Sequence, residues 1–431
     1  MAGSLILCLG LALGACVGDE RPGSTTTLVF KHGKMTGNPR VMRELLNEFE
    51  QHHPGVVVQE EVLPASTDQQ HQFYAINLDT DQVPFDVLAV DVIWTAEFAR
   101  AGWILPLDSL RSQSSRDAYF EPAVEAATFD ERLYAIPWYI DTGVLFYRRD
   151  LLDRYGVTPP RTWPELVRIT RTILAEEQDP RLKGFVWQGK QYEGLVCVAL
   201  EFIWGHGGSV LDAGGVANAV SALGFLRDLV EQGVSPALVT TSDEEATRLL
   251  FGDGRAIFMR NWPYVWSLLQ QAGSPVKDKV GLAPLPAFPG HETATALGGW
   301  MLAIPSRTKQ PREAAELIDF LTSAAAQHRL ARDLGYNPAR RALYTDPTLL
   351  AARPSLADLY AIFLTARSRP VTPYYLMLSQ VLQPEFSAAI VGRKSPQQAL
   401  DSARRQIASI LHLGTDDDEP QRDPLARLAG R

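Results

Sequence analysis

The chain has 431 residues, with 41 Lys+Arg against 50 Asp+Glu and a net charge of −9 with His neutral. A single hydrophobic core stops growing at about 250–300 residues, so this length implies more than one packed unit. The 46% hydrophobic and 21% charged fractions exclude wholesale disorder, and an acidic chain without a Lys/Arg block is not built to bind nucleic acid.

Residues 4–15 form an apolar run about as long as the core of a signal peptide and too short to span a bilayer. The run ends in Leu13-Gly14-Ala15-Cys16, small residues followed by a cysteine, the pattern of a bacterial lipobox. This predicts a lipoprotein signal over 1–15, with Cys16 as the acylated N-terminal residue. A flexible linker over 16–27 would then tether the body to a membrane surface. Residues 1–15 depart from the pattern in holding no Lys or Arg. Of the 3 cysteines, Cys8 would leave with the signal and Cys16 would carry lipid, leaving Cys197 as a lone thiol. No other run approaches the roughly 18 apolar residues of a membrane-spanning helix.

From Leu28 the sequence alternates strand and helix patterns. Leu28-Val29-Phe30 reads as a strand, and Asn38-Pro39 opens a helix with Asn38 as its cap. Val41, Leu45 and Phe49 give that helix one apolar face, and Pro54-Gly55 stops it. Val56–Val58 and Asp86–Asp91 are further strands, the second a continuous apolar run as in a buried parallel sheet. Ala96–Gly102 is helical. Strands follow at 133–137 and 144–147. Thr162-Trp163-Pro164-Glu165 and Ser242-Asp243-Glu244-Glu245 read as capping boxes, and Ser395-Pro396-Gln397-Gln398 caps a last helix through His412. Strands are expected at 255–259 and 300–304, with helix over 312–330. Residues 414–431 read as an acidic tail. The βαβ rhythm predicts an α/β layered fold.

Signals for covalent chemistry are weak. His206-Gly207-Gly208-Ser209 has no accompanying Gly-x-Ser-x-Gly elbow and reads as a glycine turn. No His-Glu-x-x-His and no phosphate-binding loop occur, so neither metal nor cofactor is expected. What recurs is aromatic residues beside carboxylates and amides at element ends. Asp91 ends an apolar strand, where ligands of open α/β sheets bind. Tyr139 and Asp141 follow the strand pattern at 133–137. Asn261-Trp262-Pro263-Tyr264 follows that at 255–259, and Gly298-Gly299-Trp300 precedes that at 300–304. Arg369-Pro370 and Tyr374-Tyr375 follow an apolar helix. For any one of these residues, core filling or capping is the commoner explanation. Their repeated placement carries the reading. Carboxylates accept bonds from adjacent hydroxyls, Arg donates a fixed fork, and the apolar face of a pyranose lies flat on Trp or Tyr. The mix suits a neutral sugar.

The block Phe185-Val186-Trp187-Gln188-Gly189-Lys190-Gln191-Tyr192-Glu193-Gly194-Leu195-Val196-Cys197 closely resembles the trehalose/maltose-binding proteins of ABC transporters, within the maltose-binding type of extracellular solute-binding proteins. The resemblance runs over roughly 28–412. It implies a two-lobed periplasmic-binding-protein fold of type II, with sugar held between lobes joined by a multi-strand hinge. Lobe one would comprise 28–141 and about 302–345, and lobe two 142–301 and about 346–413. Carried over position by position, Asp91, Tyr139, Asp141, Trp262, Tyr264, Gly299, Trp300, Arg369 and Tyr375 match the family's sugar contacts. Asn38 and Gln70-His71 are neutral where relatives carry an acidic and a basic residue, and they join Glu193 as specificity positions. The implied protein is an exported, monomeric, lipid-anchored disaccharide carrier, facing the periplasm or cell exterior and serving ABC permease subunits. The competing expectation is an exported glycoside hydrolase acting through two of Asp91, Asp141 and Glu193. A sugar-sensing partner of a membrane receptor would use the same cleft.

Overall fold

A computed structural model describes residues 25–64, 66–110, 116–413 and 425. The expected signal, Cys16, the linker up to residue 24 and the tail except Leu425 lie outside the described residues. The linker was expected through residue 27. Thr26 and Thr27 already belong to the strand Thr26–Gly33, paired with Val56 and Val57.

Two mixed sheets organise the described residues. The first has six strands, in the order Ala366–Arg367, Thr295–Ala303, Val87–Asp91, Thr26–Gly33 and Val56–Leu63, with Ile136–Thr142 paired onto Thr295–Ala303. Thr26–Gly33 runs parallel to both its neighbours, as the βαβ pattern requires. Thr295–Ala303 runs antiparallel to Val87–Asp91 and to Ile136–Thr142. The second sheet has four strands, Val280–Ala283, Val144–Arg148, Ala256–Asn261 and Lys183–Val186.

Local sequence explains these elements. Val87 to Val90 are all buried, so the strand reads as an unbroken apolar run. The helix Arg40–His52 buries Val41, Met42, Leu45, Leu46 and Phe49 on one face. The Thr162 box forms as expected: Thr162 Oγ1 accepts the Glu165 N–H at 3.3 Å, and Glu165 Oε2 accepts the Thr162 N–H at 3.2 Å. Ser395 and Gln398 exchange the same pair of bonds.

Other expectations shift. Pro39, not Asn38, is the residue flanking the first helix, and Asn38 Oδ1 accepts the Arg40 N–H from one position further out. At the second box the cap is Asp243, whose Oδ1 accepts the Ala246 N–H, while Ser242 Oγ donates to the Leu238 carbonyl. A carboxylate beside the N-terminal N–H groups is the stronger acceptor. The strand pattern at 133–137 splits between the hairpin residues Arg132–Leu133 and the strand Ile136–Thr142.

The chain passes from the first sheet to the second at Thr142-Gly143-Val144 and returns between Ala283 and Thr295. It passes again after Ala366–Arg367 into the helix Tyr375–Ile390, which packs on the helices Glu193–Gly205, Val216–Glu231 and Pro396–Leu413. The helices Pro311–Leu321 and Ala324–Leu334 pack on Arg40–His52, beside the first sheet. The boundary expected at 301/302 falls inside Thr295–Ala303, a strand that pairs only within the six-stranded sheet.

Candidate functional site

The strand Thr295–Ala303 is the axis of the site. Gly298 pairs with Asp141, Gly299 with Ile140, and Trp300 with both Tyr139 and Asp91. Three separate stretches of chain, at Asp91, at 139–141 and at 298–300, therefore meet by β register alone. The Arg369 side chain closes the group: its Nη2 lies 3.2 Å from the Leu297 carbonyl and 3.7 Å from Asp91 Oδ1.

Gly299 is glycine for a physical reason. Its φ is +124°, and a Cβ there would stand 2.5 Å from the Tyr139 carbonyl oxygen. Gly299→Ala should cost about 2 kcal/mol through backbone strain. Urea unfolding checks this, and an unchanged midpoint would contradict it.

Arg369 is buried and carries a positive charge at any working pH. Its Nη1 donates to Glu193 Oε1 at 2.7 Å. The same oxygen accepts the Tyr375 hydroxyl at 2.6 Å, and Ser379 Oγ donates to Glu193 Oε2. One carboxylate from the start of the helix Glu193–Gly205 thus holds two predicted ligand residues. Arg369 Nε has no partner among the described residues. Burial, and then the Glu193 carboxylate, push the Tyr375 phenol up, so it stays a donor.

Two carboxyls are pushed upward mainly by burial. Asp91 rises to about 6, with the Arg369 charge offsetting part of the cost. Asp141 rises to about 7, offset in part by the Asn337 amide, which donates to its Oδ1 at 2.8 Å. Asn337 is held in turn by Arg353 at 3.3 Å, and its carbonyl accepts the Ile140 N–H.

The aromatic residues form walls. Trp300 meets Trp94 edge to face at 5.5 Å, and Tyr139 lies 4.5 Å from Tyr336. Trp262 comes from the second sheet, and a Cβ on Gly298 would reach its ring at 3.0 Å. Its Nε1 donates to Glu244 Oε1 at 3.3 Å, and the Arg260 guanidinium lies 4.2 Å over its ring. Tyr264 donates to Glu245 Oε1 at 3.0 Å.

Of the thirteen positions singled out as sugar contacts or specificity positions, the structure gathers Asp91, Tyr139, Asp141, Glu193, Trp262, Gly299, Trp300, Arg369 and Tyr375 around residues 297–300. Tyr264 sits two residues beyond Trp262, on Glu245. Of the other three, Asn38 and Gln70 have partners away from this group, and His71 stands at its edge, near enough to act on the Asp91 carboxyl. Asn38 is exposed and bonded to its own helix start. Gln70 Nε2 donates to the Pro64 carbonyl, and its side chain packs on Gly33. His71 pairs with Glu97 at 3.0 Å, although its ring also meets Trp94. A separate groove of about 760 Å³ beside Glu125, Phe129 and Val371 shares none of the thirteen.

Sequence reasoning missed Tyr336, Asn337, Glu244 and the pair Glu201–Arg260. Tyr336-Asn337-Pro338 follows the left-handed Gly335 that ends a helix, and it carries the same three residue types as 261–263, with aromatic and amide exchanged before the proline. That signal was present and unused. Among the described residues, no cluster of three or more His, Cys, Asp or Glu is placed to hold a metal ion. No described helix is long and apolar enough to cross a membrane.

Two α/β layers joined by three crossings, with polar and aromatic groups from both gathered at the crossings, define the two-lobed periplasmic-binding-protein fold. The chain belongs to the bacterial extracellular solute-binding proteins, whose family model matches residues 32–328. A probable ABC transporter-binding protein of Deinococcus radiodurans is 38% identical over 364 residues, covering 82% of this chain and 86% of that protein. The structure of maltose-bound T. maritima MalE3 is similar at a TM-score of 0.81 and 38% identity, over 90% of this chain and 100% of that one. A maltotriose-binding protein of Pyrococcus abyssi is 25% identical over 263 residues, 59% of this chain and 55% of its own.

Proposed function

We propose that this chain is the extracytoplasmic, lipid-anchored substrate-binding component of an ABC sugar importer. Its ligand is an α-linked disaccharide, with trehalose or maltose the first choices. The observation that carries the reading is the convergence of Asp91, Asp141, Arg369, Trp300 and Trp262 on residues 297–300, from both sheets. The similarity to a maltose-bound protein at 38% identity supports the sugar class. The role is binding without chemistry. Trp262 and Trp300 offer faces to the pyranose rings, Asp91 and Asp141 accept hydroxyls, and the Arg369 guanidinium supplies the positive charge beside Asp91. The two sheets supply separate sets of contacts, so the ligand favours the form in which both are made. That closed form is what the permease subunits read.

The test is a Trp-fluorescence titration with trehalose, maltose, sucrose and glucose, checked by calorimetry. A saturable response to one disaccharide supports the reading, and silence to all four overturns the ligand assignment. The raised Asp91 and Asp141 carboxyls are also what a glycosidase acid needs, which favours hydrolysis as the second reading. Free glucose after incubation with trehalose or maltose would establish it. No glucose is expected.

The same carboxyls predict a pH dependence. Hydroxyl donors stabilise the ionised form, so a ligand lowers the Asp141 value from about 7 and releases a proton on binding. Affinity should rise with pH and level off above neutrality, and it should be weaker by roughly tenfold at pH 6 than at pH 8. Calorimetry near neutrality in two buffers of different ionisation enthalpy reads the proton directly. Equal heats in both would contradict this arrangement.

A further inference from the structure

Arg260 and Glu201 are wholly buried charges, each side chain 0% exposed. They meet through two bonds, Nε to Oε2 at 2.9 Å and Nη2 to Oε1 at 2.5 Å. The third guanidinium nitrogen, Nη1, donates to Gln188 Oε1 at 3.1 Å. The central guanidinium carbon lies 4.2 Å from the centroid of the Trp262 ring. Glu201 Oε1 also accepts the Ala296 N–H at 3.1 Å, where the chain returns to the first sheet. At the other crossing, Gly143 packs so closely on that oxygen and on Arg260 Nη2 that no Cβ fits. Thr142 and Thr295 join the same two crossings through hydroxyls 2.5 Å apart.

A buried ion pair is weak evidence for stability, since apolar residues of equal volume often serve as well or better. What this pair does provide is a fixed direction. A planar fork bonded through three of its nitrogens is fixed in place, and an indole ring held against the cation is restrained with it. The carboxylate on the other side touches the two strands that join the sheets.

We infer that Arg260 and Glu201 are positioning residues that hold the Trp262 face in register with the crossing strands, so that this face is aligned for ligand as the two sheets close. The inference rests on the sugar-binding reading above for its effect on affinity. Its effect on Trp262 itself does not depend on that reading. Arg260→Lys keeps the charge and removes the planar fork, and Glu201→Gln keeps the shape and removes the charge.

The experiment combines calorimetry with near-ultraviolet circular dichroism on Arg260→Lys, Glu201→Gln, Trp262→Ala and the double variant Arg260→Lys/Trp262→Ala. Urea curves first establish the temperature at which each variant is folded. The Trp262 dichroism signal, defined by difference from Trp262→Ala, should be lost in Arg260→Lys and in Glu201→Gln. Disaccharide affinity should fall about tenfold in Arg260→Lys, and by less than about twofold when Trp262 is already alanine. A purely structural pair would lower the urea midpoint and leave both the Trp262 signal and the affinity as they were, which would overturn the inference. A tenfold loss that persists in the Trp262→Ala background would overturn it as well. If the unaltered protein binds none of the disaccharides, the proposed function fails separately, and the Trp262 signal alone decides the positioning role.

Discussion

Arg369→Ala should weaken disaccharide binding by about a hundredfold and lower the unfolding free energy by about 3 kcal/mol. The two effects share one cause. Arg369 is the cation between Asp91, 3.7 Å away, and Glu193, 2.7 Å away, and it also donates to the Leu297 carbonyl. Truncation leaves two carboxylates in a half-buried site without the cation that lies between them. Glu193 would lose one of the partners that fix Tyr375 and Ser379 around it. Arg369→Lys restores the charge without the fork, so it should recover most of the stability and little of the affinity. Calorimetry and urea unfolding on both variants check this. Wild-type affinity in Arg369→Ala would remove the residue from the site.

Asp141→Asn should move stability and binding in opposite directions. In the folded protein burial raises the Asp141 carboxyl to about 7, from an ordinary 3.8. Between those values the folded state holds a proton that the unfolded state lacks. The stability from this group is fully present below about pH 4 and is lost as pH rises through 7. Asparagine cannot ionise, and its side-chain oxygen still accepts from the Asn337 amide, so the substitution removes the cost. The unliganded variant should be more stable than the parent by about 1–2 kcal/mol at pH 8 and no more stable at pH 4. Sugar affinity should fall at least about tenfold, because a neutral amide replaces a charged acceptor. Thermal unfolding across that pH range, with calorimetry at pH 8, reads both. A variant less stable than the parent at pH 8 would show that Asp141 is ionised at no cost. This trade is expected of a binding residue, whose burial costs stability that contacts with a ligand would offset.

The site residues were legible in the sequence to different degrees, and the differences have physical causes. Asp91 was visible because a strand buried on both faces ends abruptly in a charge. Trp262 was visible as an aromatic held between an amide and a proline after a buried strand. Glu201 interrupts the apolar run Leu200 to Ile203 and Arg260 ends the run Ile257 to Met259, and a buried charge at such a place demands a partner. Nothing local says that the partners are each other, 59 residues apart. Asn337 is separated from Asp141 by 196 positions, and Arg369 from Glu193 by 176, so only folding brings them together.

The alternation of strands and helices, the capping at Thr162 and Ser395, and the residue types at the strand ends are written locally in the chain. Each of these follows from interactions within a few residues of chain: apolar periodicity, side-chain to backbone capping and turn chemistry. The tertiary structure decided the register that sets Trp300 opposite both Asp91 and Tyr139, and the burial that raises Asp91 and Asp141. It also kept the whole of Thr295–Ala303 in one sheet, gave Asn38 and Gln70 nearby backbone partners and paired His71 with Glu97, 26 residues away. Register, desolvation and partner choice depend on which distant segments pack together, and no local pattern encodes that choice.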